Sequence, residues 1–361
     1  MKRLLLLAAL AVTVAGCGEK AEPTGSELPR QEPFTVMLDY FPNADHAGLY
    51  AALDAGLYQR AGLDVKLQAP PDPSAPLKLL AAGKADLAIS YTPELLLARD
   101  SGQEDIVSVG ALVQKPLTSL IALPSGGVKT AKDLAGKNVA TSGIPYQSAY
   151  LKTILANADV DPTSVKEINV GFNLTQAMLS KKADASLGSF WNYEGVDLQR
   201  RDEDPTILRM EDIGVPTYNE LIFVARRQDL DEAGAARLRR FLSATAAGHR
   251  LLKQNPKAGV DALLKADKGL DAGLQEAAIK ATLPVFFPVP PDPEDRAAPT
   301  TITPPANVKD LPWGWQEPIV WANYERWMRS ENLLTRPPSE ASPLTNEFLP
   351  GEGLAESSRD R

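Results

Sequence analysis

The chain has 361 residues, 44% of them apolar and 23% charged, and carries a formal net charge of −8. That balance suits a globular protein of about two domains, and it supplies no basic stripe against which a nucleic acid could neutralise its phosphates. One cysteine and two histidines exclude a disulfide framework, a thiolate cluster and a multi-histidine metal centre, so neither cofactor nor metal is expected.

The N-terminus sets the compartment. Lys2 and Arg3 precede an apolar run from Leu4 to Val14, and Ala15-Gly16-Cys17 follows. Basic, apolar and small residues in that order read as a secretory signal over residues 1–16, too short to span a bilayer. Val14-Ala15-Gly16-Cys17 resembles the bacterial lipobox, which implies a lipidated Cys17 and attachment to the extracytoplasmic face of the cell membrane. The alternative is an ordinary cleaved signal beside an incidental cysteine. Residues 17–33 contain Pro23, Gly25, Pro29 and Pro33 and read as a flexible tether.

The body opens with a strand at Phe34–Leu38. A helix is expected from Asp45 to Ala55, with Leu49, Ala52 and Leu53 at helical spacing and Gly56 as its stop. A strand at Leu63–Leu67, a helix at Pro73–Ala82, a strand at Asp86–Ser90 and a helix at Pro93–Asp100 follow. A second unit repeats the alternation. It has a short helix at Thr130–Leu134, a strand at Lys137–Thr141, a helix at Tyr146–Asn157, a strand at Val165–Val170, a helix at Thr175–Ser180 and a strand at Ala185–Gly188. This rhythm predicts α/β layers with mostly parallel sheets. Leu221–Ala225 reads as a strand, Asp231–Gln254 and Leu270–Thr282 as long helices, and Pro284–Pro312 as a proline-dense surface segment. Trp321, Tyr324 and Trp327 share a face of a helix at Ile319–Glu331 and are assigned to packing. Residues 351–361 read as a disordered polar tail.

Several stretches resemble the ThiY/THI5 (NMT1-like) family: Leu38 to Tyr50, Pro73 to Ala88, Gly171-Phe172-Asn173-Leu174, Trp191-Asn192-Tyr193-Glu194 and Thr345 to Pro350. The resemblance implies a type II periplasmic-binding-protein fold with two α/β lobes and two crossing hinge strands, placed at Ser119–Leu123 and Leu221–Ala225. Residues 34–120 would open the first lobe, 121–223 would form the second, and 224–350 would return to the first with the C-terminal helices. It also implies a monomeric carrier of a thiamine pyrimidine precursor, serving an ABC permease and its ATPase. One departure is Tyr40, where the family commonly has Trp.

A neutral aminopyrimidine has two flat faces, ring-nitrogen acceptors and an amine donor, so its site needs aromatic walls and an acid or amide rim. Asp39, Tyr40 and Asn43 follow the first strand, where such sites lie. Asp39 would accept from the amine and Tyr40 would stack, while Asn43 reads equally as a helix N-cap, a role also open to Asp45. His46 faces either the cleft or solvent, and Tyr91 is either a pocket wall or packing. Ser142, Gly143 and Tyr146 lie between strand and helix, where backbone N–H groups could receive a ligand carbonyl, or form a plain turn. Trp191, Asn192, Tyr193 and Glu194 combine rings with an amide and an acid, and are the segment most suited to a planar polar ligand. Glu220 is a further candidate near the hinge.

Carriers of alkanesulfonate, nitrate or flavin share this fold expectation. Oxyanion carriers favour Arg, Ser and Thr over an aromatic and acidic cluster, whereas a flavin also needs flat walls. A pyrimidine-synthesis enzyme, by analogy with yeast relatives, needs a cysteine-rich iron motif that a chain with Cys17 alone lacks. No G-x-S-x-G elbow supports a hydrolase. No enzymatic role is expected.

Overall fold

The computed structural model describes residues 30–289 and 311–351. The signal segment, Cys17, most of the tether, residues 290–310 of the proline-dense stretch and residues 352–361 of the tail lie outside the described residues.

Ten strands form two sheets of five: β1 Glu32–Met37, β2 Leu63–Gln68, β3 Leu87–Ser90, β4 Ile106–Ala111, β5 Thr118–Ala122, β6 Asn138–Thr141, β7 Lys166–Asn169, β8 Ala185–Phe190, β9 Thr206–Arg209 and β10 Ile222–Arg226. The first sheet runs β2-β1-β3-β10-β4 and the second β7-β6-β8-β5-β9. In each, three parallel strands are followed by one antiparallel strand and an outer strand. The two lobes therefore share one plan. Parallel strands covered on both faces by helices read as continuous apolar runs, as Leu87-Ala88-Ile89 does, and every residue of β3, β4 and β5 is buried.

The hinge differs from expectation. Ser119–Leu123 and Leu221–Ala225 are not crossings: they belong largely to β5 and β10, the antiparallel members of the second and first sheets. An apolar run reveals a buried strand but not the sheet that receives it. The chain changes lobes through residues 112–117 and 214–221, outside the strands. The N–H groups of Leu112 and Val113 both donate to the Leu221 carbonyl, at 2.8 and 3.1 Å, tying the two passages together. The expected changeovers at 120/121 and 223/224 accordingly fall inside β5 and β10.

Local chemistry also shifts the first helix. Asn43 Oδ1 accepts the Asp45 N–H at 2.8 Å, and this cap opens a 3₁₀ turn at Ala44–His46 before the α-helix proper at Ala47–Asp54. That helix crosses the long Glu232–Gln254 helix at close range: a Cβ on Gly248 would lie 2.3 Å from the Gly48 carbonyl oxygen. Strands β4 and β9 and the helices Glu194–Arg200 and Pro256–Ala266 were not anticipated. Ser108 and Gly110 interrupt the apolar signal of β4, although both are enclosed in the sheet. Trp321 and Tyr324 are packing residues, as expected. The Trp321 indole donates to Asn219 Oδ1 at 2.8 Å, and Tyr324 stacks at a tilt on Tyr218, with ring centres 4.8 Å apart.

Candidate ligand-binding site

The segments following β1, β3, β6, β7 and β8, with the end of β8 itself, converge on a cavity between the two sheets. This is the crevice beyond the carboxyl ends of strands, where open α/β sheets receive ligands. Asp39, Tyr40, Asn43, Asp45 and Tyr91 line it from the first lobe, and Ser142, Ile144, Tyr146, Gln147, Leu174, Gly188, Phe190, Tyr193 and Glu194 from the second.

On the first-lobe wall, Asp39 is fixed from both sides. Tyr91 Oη donates to Oδ2 at 2.8 Å, and His46 Nε2 donates to Oδ1 at 2.8 Å. His46 Nδ1 accepts the Asn43 N–H at 3.3 Å, so Nε2 is the ring nitrogen that carries the hydrogen for Asp39. His46 is fully buried and neither lines the cavity nor reaches solvent, which corrects both readings of it. It stands behind Asp39 and orients it. Asn43 lines the cavity, and its side chain caps the turn.

Tyr40 meets Phe172 of the second lobe edge-on at 4.4 Å and Phe41 at 4.5 Å. Its hydroxyl has no hydrogen-bond partner among the described residues. Burial, with Glu194 and Asp39 nearby, holds the phenol well above its ordinary pKa, so it stays neutral.

The second-lobe wall changes the reading of two segments. The Ser142 N–H is already donated to Gln147 Oε1 at 2.7 Å, and Gly143 does not line the cavity. Gly143 has φ +78, and a Cβ there would lie 2.2 Å from the Asn169 side chain, so it serves the turn. The Ser142 N–H is thus taken up within the wall, where Ser142 and Gln147 both line the cavity. Tyr146 lines the cavity, with its hydroxyl 3.1 Å from Thr118 Oγ1.

The segment Trp191-Asn192-Tyr193-Glu194 divides. Trp191 does not line the cavity: its indole donates to the Pro116 carbonyl at 2.9 Å, and the Arg209 guanidinium lies 4.1 Å above its ring. Asn192 is also off the cavity lining, fully buried, with Nδ2 donating to Asp45 Oδ1 at 2.6 Å and to Thr282 Oγ1 at 2.5 Å. Tyr193 and Glu194 do line it. Glu194 Oε2 accepts the Phe190 N–H at 2.7 Å. Burial, then the nearby Asp45 and Asp197, pushes its pKa up to about 7 against those backbone bonds.

Glu220 is absent from the cavity lining and serves the hinge. Its Oε2 accepts the N–H groups of Leu117 and Thr118 at 2.6 and 2.7 Å and the Tyr218 hydroxyl at 3.1 Å, while Oε1 accepts the Thr118 hydroxyl at 2.9 Å. It staples one passage to the other. Burial raises its pKa to about 7.

Asp45 is the acid that was not placed at the site. Its Oδ1 takes the Asn192 amide, its Oδ2 has no partner among the described residues, and burial raises its pKa to about 6. Ile144, Gln147, Leu174, Gly188 and Phe190 were likewise not named as site residues. Leu174 lies in the Gly171–Leu174 stretch and Gln147 adjoins Tyr146, so those two were within reach of the motifs. The finished wall carries three carboxyl groups, several rings and no Lys or Arg among its lining residues.

A sequence profile of the NMT1/THI5-like family matches residues 43–259. A formylaminopyrimidine-binding protein of Halalkalibacterium halodurans is 31% identical over 305 residues, covering 84% of this chain and 89% of that protein. A 4-amino-5-hydroxymethyl-2-methylpyrimidine phosphate synthase of Legionella pneumophila is 26% identical over 255 residues, covering 70% of this chain and 79% of the synthase. In fold, the chain is similar to the alkanesulfonate-binding protein SsuA of Xanthomonas axonopodis pv. citri, with a TM-score of 0.60 and 16% identity over 85% of this chain and 96% of that one. The two-lobed α/β architecture is that of the periplasmic binding proteins, and the chain belongs to the NMT1/THI5-like family.

Proposed function

We propose that this chain is the extracytoplasmic substrate-binding component of an ABC importer, and that it captures a formylaminopyrimidine or hydroxymethylpyrimidine precursor of thiamine. The observation that carries this is the composition of the inter-lobe wall: Tyr40, Tyr91, Phe190 and Tyr193 supply ring faces, and Asp39, Asp45, Glu194 and Gln147 supply the polar rim. A flat, uncharged ring with an exocyclic amine satisfies both sets. An oxyanion does not, because three carboxyl groups and no lining cation would repel it, so the likeness to a sulfonate carrier stops at the fold.

Binding without conversion is favoured over synthesis because the chain has one cysteine, Cys17, and so lacks the cysteine-rich motif implied for the yeast enzymes. The partners are an ABC permease and its ATPase. Cys17 carries the lipid that tethers a monomeric body to the extracytoplasmic face of the membrane.

The test is titration calorimetry with the two pyrimidines, alongside a thermal-shift comparison that includes riboflavin and an alkanesulfonate. A pyrimidine that binds the folded state raises the midpoint by mass action. A shift with the sulfonate or riboflavin and none with either pyrimidine overturns the ligand reading. Cys17→Ser should move the chain from the membrane to the soluble fraction; retention in the membrane removes the lipid anchor.

A further inference from the structure

We propose that Asp45 couples ligand recognition to lobe closure, one carboxylate oxygen holding the opposite lobe while the other waits in the cavity for an N–H of the ligand. The ligand's identity in this proposal rests on the pyrimidine reading; the closure half does not.

The geometry assigns the two oxygens different work. Oδ1 accepts Asn192 Nδ2 at 2.6 Å, and Asn192 stands on the second lobe just after β8. Thr282, at the end of the Ala272–Thr282 helix, completes the latch: its hydroxyl lies 3.3 Å from Asp45 Oδ1 and 2.5 Å from the Asn192 amide. Asp45, Asn192 and Thr282 are all buried, so this triangle is enclosed rather than solvated. Oδ2 has no partner among the described residues although Asp45 is 1% exposed and lines the cavity. A buried carboxylate oxygen left without a donor is costly, and an amine N–H arriving in the cavity removes that cost. Asp39 differs, because Tyr91 and His46 each donate to one of its oxygens and neither oxygen is left without a partner.

The backbone makes the coupling stiff. The Asp45 N–H is held by Asn43 Oδ1 at 2.8 Å, and the Asn43 N–H is held by His46, so Asp45 sits on a capped turn that cannot swing separately from Asp39. Opening the lobes withdraws Asn192 and takes its amide away from Oδ1. Closing restores the latch and presents Oδ2 to the ligand. Recognition and closure thus draw on one carboxyl group.

Two substitutions separate the halves. Asp45→Asn keeps an oxygen for the Asn192 amide but turns the free acceptor into a donor. Asn192→Ala removes the latch and leaves Oδ2 in place. Binding to the aminopyrimidine and to its analogue lacking the exocyclic amine is measured by calorimetry and stopped flow, with unliganded midpoints as a check of folding. Asp45→Asn should weaken the aminopyrimidine by roughly tenfold to a hundredfold and bring the two ligands to similar affinity, the range for one hydrogen bond to a charged group. Asn192→Ala should speed dissociation by about tenfold with little change in association, as loss of a closed-state contact does. Preference for the amine undiminished in Asp45→Asn, or an unchanged dissociation rate in Asn192→Ala, overturns the proposal.

Closure is also read without ligand, by energy transfer between dyes at Lys66→Cys and Lys166→Cys, exposed positions on the first and second sheets, in a Cys17→Ser background. Asn192→Ala should lower the closed fraction there. If wild-type chain binds no pyrimidine, the proposed ligand fails while this closure result still decides the latch; an unchanged closed fraction refutes it.

Discussion

The two segments that follow the sheets into the cleft, residues 39–46 and 191–194, look alike in sequence: each mixes a ring, an amide and an acid just beyond a strand. Their side chains are used differently. In the first, Asp39, Tyr40, Asn43 and Asp45 all reach the cavity, and His46 backs Asp39. In the second, Trp191 turns to the hinge passage, Asn192 crosses to Asp45, and Tyr193 and Glu194 meet the cavity. A capped turn gathers its side chains on one side, whereas a strand end leading into a helix scatters consecutive side chains around the chain axis. Residue composition marks out both segments, but only backbone geometry separates the residues that line the cavity from the mechanical ones.

The sharpest way to break this comparison is at Glu194. Glu194→Ala should weaken pyrimidine binding by about a hundredfold, because it leaves a ligand donor unpaired in a half-buried wall. Affinity within threefold of wild type in calorimetry would move Glu194 to the mechanical class. Trp191→Ala should do the opposite. It removes an indole that bonds Pro116 and lies under Arg209, so unfolding free energy should fall by about 2 kcal/mol, with affinity nearly unchanged below the midpoint. Denaturant titration and calorimetry on the same preparation check both halves; a large affinity loss at full stability would return Trp191 to the ligand.

Tyr91→Phe tests the first-lobe wall more gently. Asp39 keeps His46 but loses the donor on Oδ2. Affinity should drop by roughly threefold to tenfold, the net value of one hydrogen bond, with only a small fall in the thermal midpoint. No loss of affinity would mean that Asp39 is not held for the ligand.

What was legible in the sequence follows the same division. The lobes, the strand–helix alternation and the rings near residues 40, 91 and 193 are periodic or compositional signals, and they survive folding. In sequence the cap role is open to Asn43 and to Asp45 alike, because nothing in a stretch of such residues says which one caps and which one faces the cleft. The crossings lie elsewhere because β5 and β10 are short, largely buried strands whose apolar centres look the same whichever sheet receives them. Glu220 reads as a residue near the hinge, yet three of its four donors, the N–H groups of Leu117 and Thr118 and the Thr118 hydroxyl, lie about a hundred residues away in the chain, a clustering that only the folded topology creates.

The smallest expected effect concerns protons. Glu194 has a folded-state pKa raised from 4.5 to about 7, so it favours the fold fully below about pH 4.5 and loses that contribution as pH rises through about 7. Glu94 and Glu220, also raised to about 7, and Asp45, raised to about 6, act with the same sign. His249 acts oppositely: burial lowers it to about 4, so its contribution is present above about 6.5 and is lost as pH falls toward 4. The raw profile mixes these slopes, and the difference between Glu194→Gln and wild type isolates one. That difference in thermal midpoint should rise in favour of the variant between pH 5 and 7, by a few degrees, and level off above it. Scanning calorimetry across matched buffers measures it. A flat difference would mean that Glu194 is solvated in the folded chain, and the second-lobe wall would then present rings without the buried acid that distinguishes it from the hinge.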